Sequence, residues 1–412
     1  MTGLLFRRLG QTAVIGEMFA GVLLGPSFLG QIAPALETSL FPASSLPPLS
    51  VISQLGSVLF MFVVGMDVDV LHLRQRAKAT VIISNAGIVV PFALGAALSL
   101  YLHDRYAPPG VAYLTFALFI GIAMSITAFP VLARILDERG LRHTDLGNTA
   151  LGCAALGDVS AWCLLALALA VSQGQGYAPP VIGVALTALI SVIALAVVRP
   201  RASRFFHGVE GETTISRGTL LRALVFLFAV ALATQTIGVH ALFGAFIAGV
   251  AVGGAEAVRR PLREAIEPLT SALLLPLFFA YAGLRTEIGG LSRDAWLACG
   301  LVVAAAVVGK FVATSAAARV QRFEWRDAVA LGALMNTRGL MELVVLNIGY
   351  DRGIVSAPMY TMMVIMALLT TCMAGPVLAM LVGRGTLPVT PMPLPTARRR
   401  IRTTGGPPSA AR

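Results

Sequence analysis

The chain is 412 residues long, 57% hydrophobic and only 12% charged, with a mean hydropathy of +0.82. So few charges over this length exclude an ordinary soluble protein and point to a polytopic, all-α membrane protein. The net charge of +11 does not indicate nucleic acid: the basic residues lie in loops and the C-terminal tail, where they set orientation and meet anionic headgroups.

Apolar runs bounded by charged or Pro/Gly-rich breaks predict twelve spans in chain order. Spans 1 and 2 cover about 12–30 and 51–69, and spans 3 to 5 about 78–102, 111–136 and 146–171. Spans 6 to 8 fall near 179–198, 218–237 and 239–256. Spans 9 to 12 fall near 268–286, 294–318, 326–349 and 356–383. Alternate loops assigned to one side gather all but six of the 31 Lys+Arg there. Arg105, Arg285, Arg293 and Arg352 are left on the other side, and Lys310 and Arg338 fall inside spans. The asymmetry predicts both termini in the cytoplasm. The charged start MTGLLFRRLGQ runs straight into span 1, so no cleaved signal is expected. The four cysteines sit in apolar runs without metal-site spacing, and no cofactor is expected.

An internal repeat organises these spans. Gly16–Gly25 in span 1 and Gly244–Gly253 in span 8 both fit G-x-x-x-A-G-V-x-x-G. Leu59–Asp69 in span 2 likewise echoes Leu277–Glu287 in span 9. An offset of seven spans turns the second copy upside down, the inverted-repeat design of secondary transporters. The register pairs spans 3–5 with 10–12 and leaves span 7 without a partner, which leads to the expectation of a first helix absent from this copy.

Spans 4 and 11, a repeat pair, each carry a helix-unfriendly patch: Ser125-Ile126-Thr127-Ala128-Phe129-Pro130, and Met335-Asn336-Thr337-Arg338-Gly339. Pro130 removes a backbone bond and disfavours helix at Phe129; Gly339 beside polar Asn336 and Thr337 invites unwinding. Broken helices at membrane depth persist only where protein or an aqueous cavity satisfies the freed backbone groups, so the two patches predict crossed breaks at a midplane site.

Asp158 lies in ALGCAALGDVSA, ~18 Å from the start of its apolar run at ~1.5 Å per residue, about halfway through the hydrocarbon. A carboxylate at that depth marks an ion or proton pathway, or is a structural group held neutral or paired. Lys310 lies too deep to snorkel comfortably and is expected to need a carboxylate or a shifted pKa, with Asp158 the candidate partner. Arg338 and Glu342, spaced i,i+4, read as a structural ion pair across the break. One buried carboxylate can hold a proton or a small cation but not both, and freed carbonyls would complete a cation's oxygen shell.

The stretches RRLGQTAVIGEMFAGVLLGPSFLG, AMSITAFPVLARILDERGL, ALGDVSAW, LLPLFFAYAGLRTEI and MNTRGLMELVVLNIG together resemble the second family of monovalent cation:proton antiporters, which includes bacterial NapA-type exchangers and plant CHX proteins. The resemblance covers nearly the whole chain. It implies a 13-helix Na+/H+ antiporter fold and a homodimer. The panel would comprise residues 1–69 and 218–286, the mobile core 78–171 and 294–383, and the linker 179–198, before a disordered cytoplasmic tail over 384–412. It also implies elevator-type exchange of Na+ or K+ for H+ across a bacterial inner membrane. By motif match Asp158 is the proton- and cation-binding carboxylate, Lys310 the basic residue of the equivalent core span, and Thr127 part of the broken-helix motif. The family usually places Asp, Asn or Gln immediately before the essential aspartate. Here that residue is Gly157, which favours electroneutral exchange.

Alternatives are a degenerate antiporter-like sensor or channel, a transporter of another fold carrying an organic solute, and an intramembrane aspartyl protease. Leu156-Gly157-Asp158 and Tyr350-Asp351 evoke the protease's GxGD and YD motifs, but Ala155 replaces the first glycine and the motif order is reversed.

Overall fold

The computed structural model describes residues 6, 11, 13–68, 77–142, 144–172, 178–206, 215–238 and 240–382. The expected tail over 384–412 and Asp69 lie outside them. Among the described residues every regular element is helical, and eight helices are long and apolar enough to cross a membrane. Further apolar helices are shorter, such as Tyr113–Ser125 and Ala241–Val252.

The first helices are α1 (Ala13–Leu24), α2 (Leu46–Met66) and α3 (Ala77–Tyr106). Two short helices, Leu29–Ile32 and Pro34–Leu40, join α1 to α2. Proline stands in the first turn of α2, where its missing N–H breaks no ladder bond. The stretch expected to be span 4 is two helices, α4 (Tyr113–Ser125) and α5 (Phe129–Glu138), followed by α6 (Asp145–Ser172). Next come α7 (Ala178–Ile193), α8 (Arg217–Thr236) and α9 (Ala241–Val252). A π-helical turn over Thr270–Leu274 joins α10 (Glu256–Leu269) to α11 (Leu275–Leu284), and another over Val308–Val312 joins α12 (Arg293–Val307) to α13 (Ala313–Val320). The chain then runs through α14 (Trp325–Met335), α15 (Leu340–Asp351) and α16 (Ala357–Val382), so the expected span 11 is also divided.

One group of helices packs through glycine seams. Lipid tails are as apolar as leucine, so helices in a bilayer are held by close van der Waals approach, which small residues permit. In α1, a Cβ on Gly21 would lie 2.1 Å from the Phe279 carbonyl oxygen of α11, and Gly25 meets Gly283 in the same way. In α9, a Cβ on Gly249 would lie 2.1 Å from the Phe62 carbonyl oxygen of α2, and Gly253 meets Met66. The motif glycines of α1 and α9 thus serve the same purpose against different partners. Helix α8 lies along α9, and α11 along α2.

A second group packs α3 along α4, α6 and α13, with α12 and α14 against α16. The π turn at Val308–Val312 presses Gly309 onto Pro91 of α3, where a Cβ would sit 2.9 Å from the proline Cα. Helix α6, which carries Asp158, lies against both α4 and α14, the first halves of the two interrupted helices.

Candidate functional site

The two interruptions hydrogen-bond to each other. The Ala128 N–H donates to the Thr337 carbonyl at 3.0 Å, and the Thr127 hydroxyl donates to the Met335 carbonyl at 3.1 Å. Each break therefore supplies partners for backbone groups that the other leaves free, as membrane depth requires. Pro130 falls in the first turn of α5. Gly339 caps α15 at φ +153°, a backbone conformation that side-chain-bearing residues rarely adopt.

The last three carbonyls of α4 face cations. Arg338 donates through Nη1 to the Ala123 carbonyl at 2.9 Å and through Nη2 to the Met124 carbonyl at 2.6 Å. Lys310 donates to the Ser125 carbonyl. The C-terminus of a helix carries about half a negative charge, so two cations there are electrostatically matched to it. Arg338, Lys310 and Glu342 are all at most 1% exposed. Glu342 meets Arg338 at 3.4 Å, the i,i+4 pair expected from the sequence. Thr371 of α16 completes the set: its hydroxyl oxygen accepts the Arg338 backbone N–H at 2.7 Å and lies 2.9 Å from the Arg338 carbonyl.

Asp158 is 2% exposed, and among the described residues neither carboxylate oxygen finds a hydrogen-bond donor. Here the structure departs from the expected Asp158–Lys310 pair. The broken helix leaves the Ser125 carbonyl without a helical donor, and Lys310 satisfies that acceptor instead. Lys310 still acts on Asp158 electrostatically. Asn336 is buried with its Oδ1 unpartnered, and the Thr337 hydroxyl turns back to the Leu334 carbonyl at 2.7 Å. A Cβ on Gly157 would meet only the Ser84 hydroxyl, at 3.9 Å, in contrast to the seam glycines.

Thr127, Ala128, Met335, Thr337, Arg338, Glu342 and Lys310 thus form one hydrogen-bonded assembly, with Asp158 delivered by α6. The sequence did not mark the π turn that carries Lys310, Thr371, or the Ser125 carbonyl as an acceptor. A break in α4 does imply free carbonyls, so the last of these was in principle readable. The chemistry available is that of a sequestered carboxylate, free to take a proton or a cation, near the Lys310 amine and the Arg338 guanidinium.

Comparisons with known proteins identify the family. The model of the family described as sodium/hydrogen exchanger, transmembrane, matches residues 1–384. The chain is 42% identical over 381 residues to the Na(+)/H(+) antiporter NhaS4 of Synechocystis sp., covering 91% of this chain and 92% of that protein. It is 39% identical to Cation/H(+) antiporter 19 of Arabidopsis thaliana and 32% identical to K(+)/H(+) antiporter 1 of Saccharomyces cerevisiae. About 90% of this chain aligns in both cases, but only 47% and 43% of those longer proteins. An electron-microscopy structure of the sodium proton antiporter MjNhaP1 from Methanocaldococcus jannaschii shares the fold at a TM-score of 0.67 and 12% identity, over 92% of each chain. The chain belongs to the transmembrane sodium/hydrogen exchanger family: it is an integral membrane transporter and not an enzyme.

Proposed function

We infer that the protein exchanges a monovalent cation, Na+ or K+, for H+, with Asp158 as the group that carries each in turn. The observation that carries this reading is the Asp158 carboxylate, buried to 2% exposure without a hydrogen-bond donor among the described residues, on a helix packed against both interrupted helices. A buried charge without a partner is too costly to persist, so the group is either protonated or matched by a cation. Loading one species releases the other, and antiport follows. Thr127, Ala128, Asn336 and Thr337 are candidate oxygen donors to the cation from the breaks. Arg338 and Glu342 hold the break of α14 and α15 in shape, and Lys310 sets the local charge.

The inverted repeat is supported by the glycine seams: α1 packs on α11 as α9 packs on α2, which is what exchanging the two copies would produce. On that reading twelve spans divide into a panel of α1, α2 and α8–α11 and a core of α3–α6 and α12–α16, with α7 as the linker. The core moves as an elevator between faces, in a homodimer of the bacterial inner membrane with cytoplasmic termini. With Gly157 in front of Asp158, the exchange is one for one and electroneutral.

The test is exchange in proteoliposomes that hold the purified protein. Adding Na+, K+ or Li+ should dissipate an imposed ΔpH, and imposing a membrane potential should leave the rate unchanged. Asp158→Asn should reduce exchange by about 100-fold or more while thermal unfolding stays within a few degrees of wild type. Retained exchange in that variant would remove Asp158 from the role. A rate that follows the potential would remove electroneutrality.

A further inference from the structure

Two ionic clusters lie at the ends of the molecule, and the repeat relates them. At one end Asp67, which follows α2, accepts from Arg263 of α10 at 3.0 Å and lies 3.3 Å from Arg142, beyond α5. Arg142 also holds Asp137 of α5 at 2.6 Å. At the other end Arg285, which follows α11, donates to Asp351 at 2.7 Å and to Asn347 at 3.2 Å, both on α15. Arg285 lies over the Tyr281 ring and bonds its hydroxyl. Helix α2 runs antiparallel to α10–α11, with Gly56 at Leu274 and Asp67 at Arg263. Arg263 and Arg285 are therefore separated along one helical run by about 33 Å at ~1.5 Å per residue, the thickness of the hydrocarbon layer.

The repeat that matches Leu59–Asp69 with Leu277–Glu287 sets Asp67 in register with Arg285. Matching the last residues of α4 and α14, Ser125 and Met335, sets Asp137 in register with Asn347 and Arg142 one place from Asp351. The clusters are thus the same link built twice with the charges exchanged. At one face an acid after α2 meets an arginine beyond α5; at the other an arginine after α11 meets an acid at the end of α15.

We propose that Asp67 and Arg285 are positioning residues of the exchange cycle, a repeat-related and charge-inverted pair of ties that fasten the second half of each broken helix to the panel, one at each face. The proposal rests on the panel and core division inferred above. Both ties are closed in a structure whose Asp158, Thr127 and Lys310 are at most 2% exposed, as expected when neither face is open. Opening toward a face requires the tie at that face to part, so the two ties bias the equilibrium in opposite directions.

Full-length Asp67→Asn, Arg285→Gln and the double variant Arg285→Asp with Asp351→Arg would be compared in proteoliposomes of known orientation. Asp67→Asn should lower the apparent KM for cation presented at the Asp67 face and raise it at the opposite face, by about two- to fivefold each way. Arg285→Gln should do the reverse, and the charge-exchanged double variant should return both values toward wild type. Hydrogen–deuterium exchange supplies a readout that does not need transport. Asp67→Asn should raise uptake over 139–142 and lower it over 352–356, with the opposite pattern in Arg285→Gln. Shifts of the same sign at both faces, or uptake that changes only beside the substituted residue, would overturn the proposal. Absence of exchange in the wild type would instead refute the functional reading, and the deuterium pattern would still decide whether the ties are coupled.

Discussion

Arg338 is fully buried, yet its guanidinium spends more of its bonding capacity on carbonyls than on its carboxylate. Ala123 and Met124 are held at 2.9 and 2.6 Å, against 3.4 Å to Glu342. The spacing of Arg338 and Glu342 points to their contact, because an i,i+4 relation is local to one helix. The carbonyls belong to a segment more than 200 residues earlier in the chain, and no local pattern connects them. The same limit applies to Lys310, whose depth was evident from its apolar neighbours but whose acceptor, the Ser125 carbonyl, was not. These partners imply an order of stabilities. Arg338→Ala leaves Glu342 as an uncompensated buried charge and should cost about 3–5 kcal/mol. Lys310→Ala leaves one buried carbonyl without a donor and should cost about 1–3 kcal/mol. Thermal unfolding in detergent should therefore place Arg338→Ala well below Lys310→Ala, and equal losses would contradict the assignment of donors.

At the scale of the helix, glycine serves two purposes that composition alone cannot separate, and at one position serves neither. Gly339 allows the φ of +153° from which α15 starts; Gly249 lets α9 touch α2; Gly157 does neither. The repeated G-x-x-x-A-G-V-x-x-G motif made the seam glycines legible, because two copies in register carry more weight than a four-residue spacing. The breaks were legible too, since Pro130 and Gly339 leave a local chemical trace. The π turns at Thr270–Leu274 and Val308–Val312 left none, because an extra residue in a helix is accommodated by packing rather than by composition. The contrast can be measured. Gly249→Ala forces a methyl group into the Phe62 carbonyl and should lower stability by about 1–3 kcal/mol. Gly157→Ala has room and should be neutral or stabilising by about 0.5–1 kcal/mol, since alanine favours helix. Unfolding midpoints that fall equally in both variants would mean the space at Gly157 is not there.

For the whole molecule, the competition of cation and proton for one carboxylate inferred above predicts a coupling of ligand binding to stability. A ligand that binds only the folded chain raises the midpoint of unfolding in proportion to the logarithm of its concentration. On the proposed role of Asp158 the cation takes the deprotonated carboxylate, so thermal protection by Na+ or K+ should grow as pH rises and fade as pH falls. It should be absent at every pH in Asp158→Asn. Protection independent of pH would separate cation binding from the proton and remove the basis of exchange. The hydrogen bonds between the two breaks bear on a different matter, the order of synthesis. Ala128 and Thr127 find their acceptors at Thr337 and Met335, some 200 residues downstream. While the ribosome is still translating α6 to α13, the residues of the first break are already synthesised but their partners do not exist. The bare amide at Ala128 must then be sheltered by water, by the translocon or by a temporary helical state. The hydrogen bonds between the two breaks can therefore close only once α14 has been made.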